Sequence, residues 1–112
     1  MSESKATNFE EVLADLDGGI FAQKIGHALS DVALGTVLTG KAGKVQITFD
    51  MKRIGDSSQI EVAHKINFTK PTEKGKTSEE NTTHTPLHVG KGGKITLFPQ
   101  DQTSFEFMNS NN

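Results

Sequence analysis

The chain has 112 residues and a mass of 12.1 kDa, which is the size of one domain. Hydrophobic residues make up 33% of it and there is no Trp or Tyr, so the core must be small. The absence of cysteine excludes a disulfide framework and any thiolate-bound zinc or iron–sulfur site. No apolar run approaches the ~20 residues of a membrane span. The polar start of the chain lacks the apolar core of a signal peptide, so we expect a protein of the reducing cytoplasm.

The net charge of −2 hides an uneven distribution. Residues 1–40 hold two basic against six acidic residues, and residues 41–94 hold ten against six. The last 18 residues add two acidic residues and no basic one. An acidic front, a basic middle and an acidic tail can mark a surface that binds a polyanion.

The first half of the domain is predicted to be helical. Thr7 and Glu10 have the spacing of a capping box, and apolar residues then recur at helical spacing as far as Leu16. Gly18 and Gly19 should end this first helix, which we place at about 8–17. A second helix is predicted over about 20–38. Gly26 and Gly35 inside it suggest a close approach to another helix.

From Gly43 the apolar residues alternate with polar ones, which is typical of strands with one buried and one exposed face. Strands are predicted over about 43–53 and 59–70, joined by a turn at residues 55–58. Shorter strands follow over about 85–90 and 94–98. The glycine-rich turn between them resembles a phosphate-binding loop, but a strand follows it where such loops require a helix.

Residues 70–84 contain no large apolar side chain and form either a flexible arm or an exposed β-ribbon that bends at 73–76. We therefore predict a single α+β domain over 7–99, with two N-terminal helices on one face of an antiparallel, mostly hairpin-connected sheet of about four strands. Residues 1–6 and the polar tail 100–112 are expected to be flexible.

Neither a catalytic nor a metal centre is predicted, and no cofactor. Pro86 between His84 and His88 prevents the helical HxxxH arrangement of zinc enzymes. His64 lies in the inward phase of its strand and is best explained as a hydrogen-bonded core residue. There is no nucleophile motif and no histidine–carboxylate pair at motif spacing, so an enzyme is not expected.

Basic residues of the predicted hairpins and of the 70–84 arm favour contact with nucleic acid through a phosphate backbone. Two facts oppose this interpretation: the strand aromatics share the buried phase, and lysines on exposed strand positions also protect against aggregation. The candidate nucleic-acid-binding residues are Lys44, Lys52, Arg53, Lys65, Lys70, Lys74, Lys76, Lys91 and Lys94.

The second helix is apolar over most of its circumference, which predicts that a second copy of the chain covers part of it in a dimer or higher homo-oligomer. A further candidate is the short apolar run in the tail, which either docks on a host protein or folds back over the sheet. The interface candidates are Phe21, Ile25, Leu29, Val32 and Leu34, and the docking candidates are Phe105, Phe107 and Met108.

Two stretches carry a family resemblance: residues 16–39, with Leu-Asp-Gly-Gly and Lys-Ile-Gly-His-Ala-Leu-Ser-Asp-Val-Ala, and the run from Thr85 to Pro99. Together they resemble small accessory proteins of tailed phages and prophages. The resemblance carries no activity or functional residue; it implies a host-cytoplasmic setting. The leading hypothesis is thus a non-enzymatic nucleic-acid-binding accessory protein. The alternatives are an inhibitor of a host defence factor and a minor self-assembling structural component.

Overall fold

A computed structural model describes residues 6–99. The tail candidates Phe105, Phe107 and Met108, and all but the last residue of the N-terminal segment predicted to be flexible, lie outside these residues.

The N-terminal region forms one joined helical stretch of 31 residues from Phe9 to Thr39, with a kink at Asp17 and Gly18, where the backbone leaves helical φ/ψ values. Helix α1 (Phe9–Asp15) passes through a 3-10 turn (Leu16–Gly19) into helix α2 (Ile20–Thr39). The expected pair of separate helices is not matched. Positive φ angles at Asp17, Gly18 and Gly19 redirect the chain, but the Ile20 N–H still bonds to the Leu16 and Asp17 carbonyls.

The start of α1 differs from the predicted capping box. Asn8 is the N-cap residue, and its side-chain oxygen accepts the Glu11 N–H at 3.3 Å. The hydroxyl of Thr7, the expected cap, instead accepts the Ile95 N–H at 3.1 Å. Thr7 therefore ties the N-terminus of the helical region to the last strand.

The remainder of the described chain forms one antiparallel sheet, in which the strands follow the order of the sequence. The predicted hairpin is confirmed, with Phe49 opposite His64. The glycine-rich loop forms a short 3-10 turn before the last strand, in agreement with the prediction of a turn. The strands are β1 (Lys44–Arg53), β2 (Gln59–Thr72), β3 (Gly75–Val89) and β4 (Ile95–Thr96).

Residues 70–84 do not form a separate arm. They complete β2 and most of β3, with a tight turn at Glu73 and Lys74 and Thr72 opposite Gly75. The exposed ribbon, the other sequence interpretation, is what the structure contains. Its polar side chains are compatible with a strand because pairing with β2 satisfies the backbone groups of β3 that face β2, and the groups on the open edge are left to water.

Helix α2 lies across β2 on one face of the sheet, so the fold is α+β. Phe21 is at the centre of the core and packs against Phe49 and His64, with ring centroids 6.3 and 4.5 Å away. Gly35 approaches β2 rather than another helix: a Cβ there would lie 2.8 Å from the Pro71 carbonyl oxygen. The expected helix–helix contact is therefore wrong for Gly35, whereas a Cβ at Gly26 would meet nothing within 4 Å.

No helix within residues 6–99 is both long enough and apolar enough to span a membrane.

Candidate functional site

The sheet has two unlike faces. The inner face meets the helical region and carries the apolar phase of β1 and β2, and it becomes polar along β3. Within residues 6–99 no helix lies over the outer face, which carries the polar phase of all three long strands. Because residues directly opposite each other in a ladder share a face, the register assigns each candidate residue to one side.

Four of the nine candidate cationic residues lie on the outer face: Lys44, Lys52, Lys65 and Lys76. Three carboxylates share this face. Glu61 is directly opposite Lys52, Glu80 pairs with Lys65 at 3.5 Å, and Asp50 lies between them along β1. The outer face is therefore mixed in charge, with four positive and three negative side chains.

The other five cationic candidates are directed elsewhere. Lys70 lies on the inner side, where it pairs with Asp31 of α2 at 3.7 Å. Arg53 holds its own turn together by donating to the carbonyls of Asp56 and Ser57 at 2.9 and 2.8 Å. Lys74 lies in the β2–β3 turn, and Lys91 and Lys94 lie at the β3–β4 turn. The nine candidate residues therefore do not share one face of the protein.

The five interface candidates on α2 also divide. Phe21 and Val32 are only 0% and 6% exposed because they fill the intramolecular core, so these two assignments to an oligomer interface are wrong. Ile25 is half-buried against the same core. Leu29 and Leu34 are exposed and remain available to a partner.

An exposed apolar band runs between α2 and β1. The flank of α2 that faces β3 is polar, because Lys24 bonds to Asn81 and Asp31 pairs with Lys70. Helical geometry places Leu29 on the opposite flank, toward β1. There the inner-face residues Ile47 and Met51 are 40% and 57% exposed, since α2 is centred over β2 rather than over β1. We define the apolar band as Phe9, Leu29, Ile47 and Met51.

The band continues into a cleft between α1 and the sheet. The cleft has a volume of about 220 Å³. The Phe9 ring lies edge-on to that of Phe49, with centroids 6.1 Å apart, and forms one wall of it. The lining residues are Thr7, Phe9, Val12, Leu16, Phe49, Met51, Val62, Leu87 and Ile95.

Strand β1 is also an edge of the sheet along its full ten residues. The Ile54 N–H bonds to the Gln59 carbonyl at 2.9 Å. Because bonded and non-bonded pairs alternate in an antiparallel ladder, the even-numbered residues of β1 bond to β2. The odd-numbered residues, which include Val45 and Ile47, direct their N–H and C=O groups away from the sheet.

His64 is fully buried, which confirms its interpretation as a hydrogen-bonded core residue. Its Nε2 lies 2.8 Å from Thr85 Oγ1 and its Nδ1 lies 2.8 Å from Thr83 Oγ1. Burial lowers the pKa of His64 below 6.5, and the nearby Asp17 carboxylate opposes this effect. A satisfied, neutral histidine of this kind stabilises the core; it does not line an open cavity. No group of three or more potential metal ligands occurs among residues 6–99.

Comparison with known proteins identifies the family. The model of the YfdP family matches residues 8–95, which include the whole helical region and nearly the whole sheet. The chain belongs to the YfdP family. It is 38% identical over 102 residues to "Uncharacterized protein YfdP" of Escherichia coli strain K12, with 91% of this chain and 84% of that protein covered. No solved structure matches.

In this member of the YfdP family, sequence reasoning missed the apolar band. The alternation of β1 placed Ile47 and Met51 correctly on the inner face, but it could not show that α2 leaves this part of the face uncovered. One signal was available. The two helices contain too little length to cover two long strands, so part of the apolar phase had to remain exposed or meet another chain.

Proposed function

We propose that this protein is a non-enzymatic binding protein that engages another protein chain through the apolar band. The observation that carries the proposal is the ratio of exposed to buried apolar residues. Ten large apolar side chains are exposed within residues 6–99, whereas eight hydrophobic residues are buried. Isolated exposed apolar residues are ordinary, but a continuous exposed patch marks a protein-binding surface.

The position of the band supports the same proposal. It lies beside a free strand edge, so a partner can gain both apolar burial and backbone hydrogen bonds there. Leu34, Val37 and Leu38 of α2 are also exposed, but they lie on its solvent side and on the flank away from Leu29, so they add apolar surface separate from the band. The resemblance to phage and prophage accessory proteins adds a setting: we propose that the protein acts in the host cytoplasm, with a host protein or its own copies as partner.

The test is cross-linking of the wild-type protein in bacterial extract and with itself, followed by mapping of the linked peptides. Leu29→Lys and Ile47→Lys each place a charge in the band and should abolish the protein adducts. Thr82→Lys, which adds the same charge on the outer face, should leave them intact. The proposal fails if the adducts map to the outer face or if all three variants behave like wild type.

A second candidate is nucleic-acid binding by the outer face. Lys44, Lys52 and Lys65 support it because they share the face that no helix of the described part of the chain covers. Lys65 lies opposite Thr48, midway between Lys44 and Lys52. Neighbouring lysines of this row are therefore about four residues, or close to 13 Å, apart along the strand direction. The interspersed carboxylates repel phosphate, so this candidate predicts weak binding that salt readily abolishes.

Fluorescence anisotropy with labelled single-stranded DNA, double-stranded DNA and RNA at two salt concentrations tests this candidate. Lys65→Gln should weaken binding, and Lys70→Gln should not, because Lys70 pairs with Asp31 on the inner side. Absence of binding at low salt would eliminate it.

A further inference from the structure

The sequence of β1 is complementary to itself in the antiparallel direction. Residues equidistant from Ile47 match in character: Val45 with Phe49, Gln46 with Thr48, and Lys44 with Asp50. The first pair lies on the inner face, and the other two lie on the outer face. A strand with this pattern can pair with an identical strand so that every opposed pair is favourable.

We propose that β1 pairs with β1 of a second copy of this chain, on a twofold axis through Ile47, to give a continuous eight-stranded sheet. This inference rests on the proposed function and names the partner at the apolar band. In this register, each Lys44 faces Asp50 of the other copy. Both copies make the same contacts, as a twofold interface requires.

The backbone geometry of β1 is compatible with this pairing. Val45, Ile47, Phe49 and Met51 present their N–H and C=O groups to the open edge, because the Ile54–Gln59 bond sets the even-numbered residues of β1 as those that bond to β2. Pairing about Ile47 therefore makes Ile47 a mutually bonded pair, with Val45 bonded to Phe49 on either side. The edge groups that are free in one chain are satisfied in the dimer.

The charges favour this register because only an axis through Ile47 places Lys44 opposite Asp50. An axis through Phe49 keeps the same bonding phase of β1 but leaves these two charges unpaired and places Val45 opposite Arg53. Lys44 and Asp50 take part in no ion pair within residues 6–99, and six residues of strand keep them about 20 Å apart in one chain. A shift to an axis through Thr48 would place Lys44 opposite Lys52. A shift to an axis through Met51 would form Asp50–Lys52 pairs but would place Phe49 opposite Arg53 and shorten the overlap.

The apolar band selects β1 over the other long free edge. Strand β3 is also open over most of its length, but its inner face there carries Glu79, Asn81 and Thr83. Pro86 also removes one donor from it. Pairing through β1 places the two copies of Ile47 against each other and Val45 of each copy against Phe49 of the other, which covers exposed apolar surface along the seven-residue overlap of the two strands.

Sedimentation equilibrium of the full chain and its charge variants tests this inference. The wild type should dimerise, and Lys44→Glu or Asp50→Lys alone should weaken the dimer about tenfold, because each change creates two like-charge pairs across the axis. The double variant Lys44→Glu/Asp50→Lys should restore the wild-type affinity. Lys52→Glu carries the same charge change as Lys44→Glu on the same strand and face and should not weaken the dimer.

Three results would overturn the inference: a monomeric wild type at the highest soluble concentration, a dimer indifferent to both single exchanges, or no rescue by the double exchange. Comparison with Leu29→Lys separates this failure from failure of the proposed function. If the wild type is monomeric but still forms band-dependent adducts with another protein, the binding role stands and the identity of the partner is wrong.

Discussion

The Thr85 hydroxyl joins Asp17 and His64, which lie in different layers of the fold. It accepts the Asp17 N–H at 2.9 Å, across 68 residues of chain, and it lies 2.8 Å from His64 Nε2. The 3-10 turn between α1 and α2 is thereby fixed to the centre of the sheet. One buried hydroxyl thus determines where the helical region bends relative to β2 and β3.

Thr85→Val should destabilise the protein strongly. The isosteric change leaves the Asp17 N–H and one nitrogen of the buried His64 without their partner, and each unsatisfied buried group costs about 1–3 kcal/mol. We expect a loss of about 2–4 kcal/mol in the free energy of unfolding, measured by urea denaturation. Thr82→Val, on an exposed position of the same strand, should change stability by less than about 0.5 kcal/mol. Equal effects of the two variants would contradict the role of the Thr85 hydroxyl.

Acidification should destabilise the fold through His64. Its pKa is lowered in the folded state below the value of 6.5, mainly by burial, so the unfolded chain binds a proton more readily. This destabilisation is absent well above pH 6.5. It grows as the pH falls through the unfolded pKa and levels off below the folded pKa.

Urea denaturation at a series of pH values from neutral to mildly acidic measures this effect. His64→Gln should be less stable than wild type at neutral pH and should lose part of the decline on acidification. His27→Gln, on an exposed position of α2 that does not contribute to the lowered pKa of His64, serves as the control and should retain the wild-type decline. A wild-type slope in the His64→Gln variant would show that other groups cause it.

Alanine at Gly26 and at Gly35 should have opposite effects although both lie in α2. At Gly26 a Cβ meets nothing within 4 Å, so Gly26→Ala should stabilise the helix by up to about 1 kcal/mol. At Gly35 a Cβ would lie 2.8 Å from the Pro71 oxygen and 2.9 Å from Lys70 Cγ, so α2 must move away from β2. We expect Gly35→Ala to cost about 1–3 kcal/mol, and thermal unfolding of both variants checks the sign.

The sequence predicted β1 and the apolar part of β2 well because alternation at Val45–Met51 and Ile60–Phe68 gives a direct periodic signal. It did not decide between arm and strand for residues 75–84. The side chains of this part of β3 are polar on both faces, so they show no alternation of apolar and polar residues. It is a strand because its backbone pairs with that of β2. Only the length of β2 beyond Phe68 could have indicated that a partner must follow.

The orientation of α2 was the second limit. A helix that is apolar around most of its circumference does not show which side faces the sheet, so buried Phe21 and exposed Leu29 looked alike in the sequence. The cationic residues were a third limit. Lys65 and Lys70 are both basic residues of β2, but they are an odd number of residues apart. Successive side chains of a strand point to opposite faces, so Lys65 lies on the outer face and Lys70 on the inner face.

The strands occupy the sheet in the order in which they occur in the chain, and each pairs with the one before it. Every pairing therefore closes a short loop, which carries a small entropic cost and favours rapid folding. The sheet can form one hairpin after another, beginning with the β1–β2 hairpin that follows the helical region. By this route β1 is ready to accept another strand on its free side as soon as β2 has folded against it.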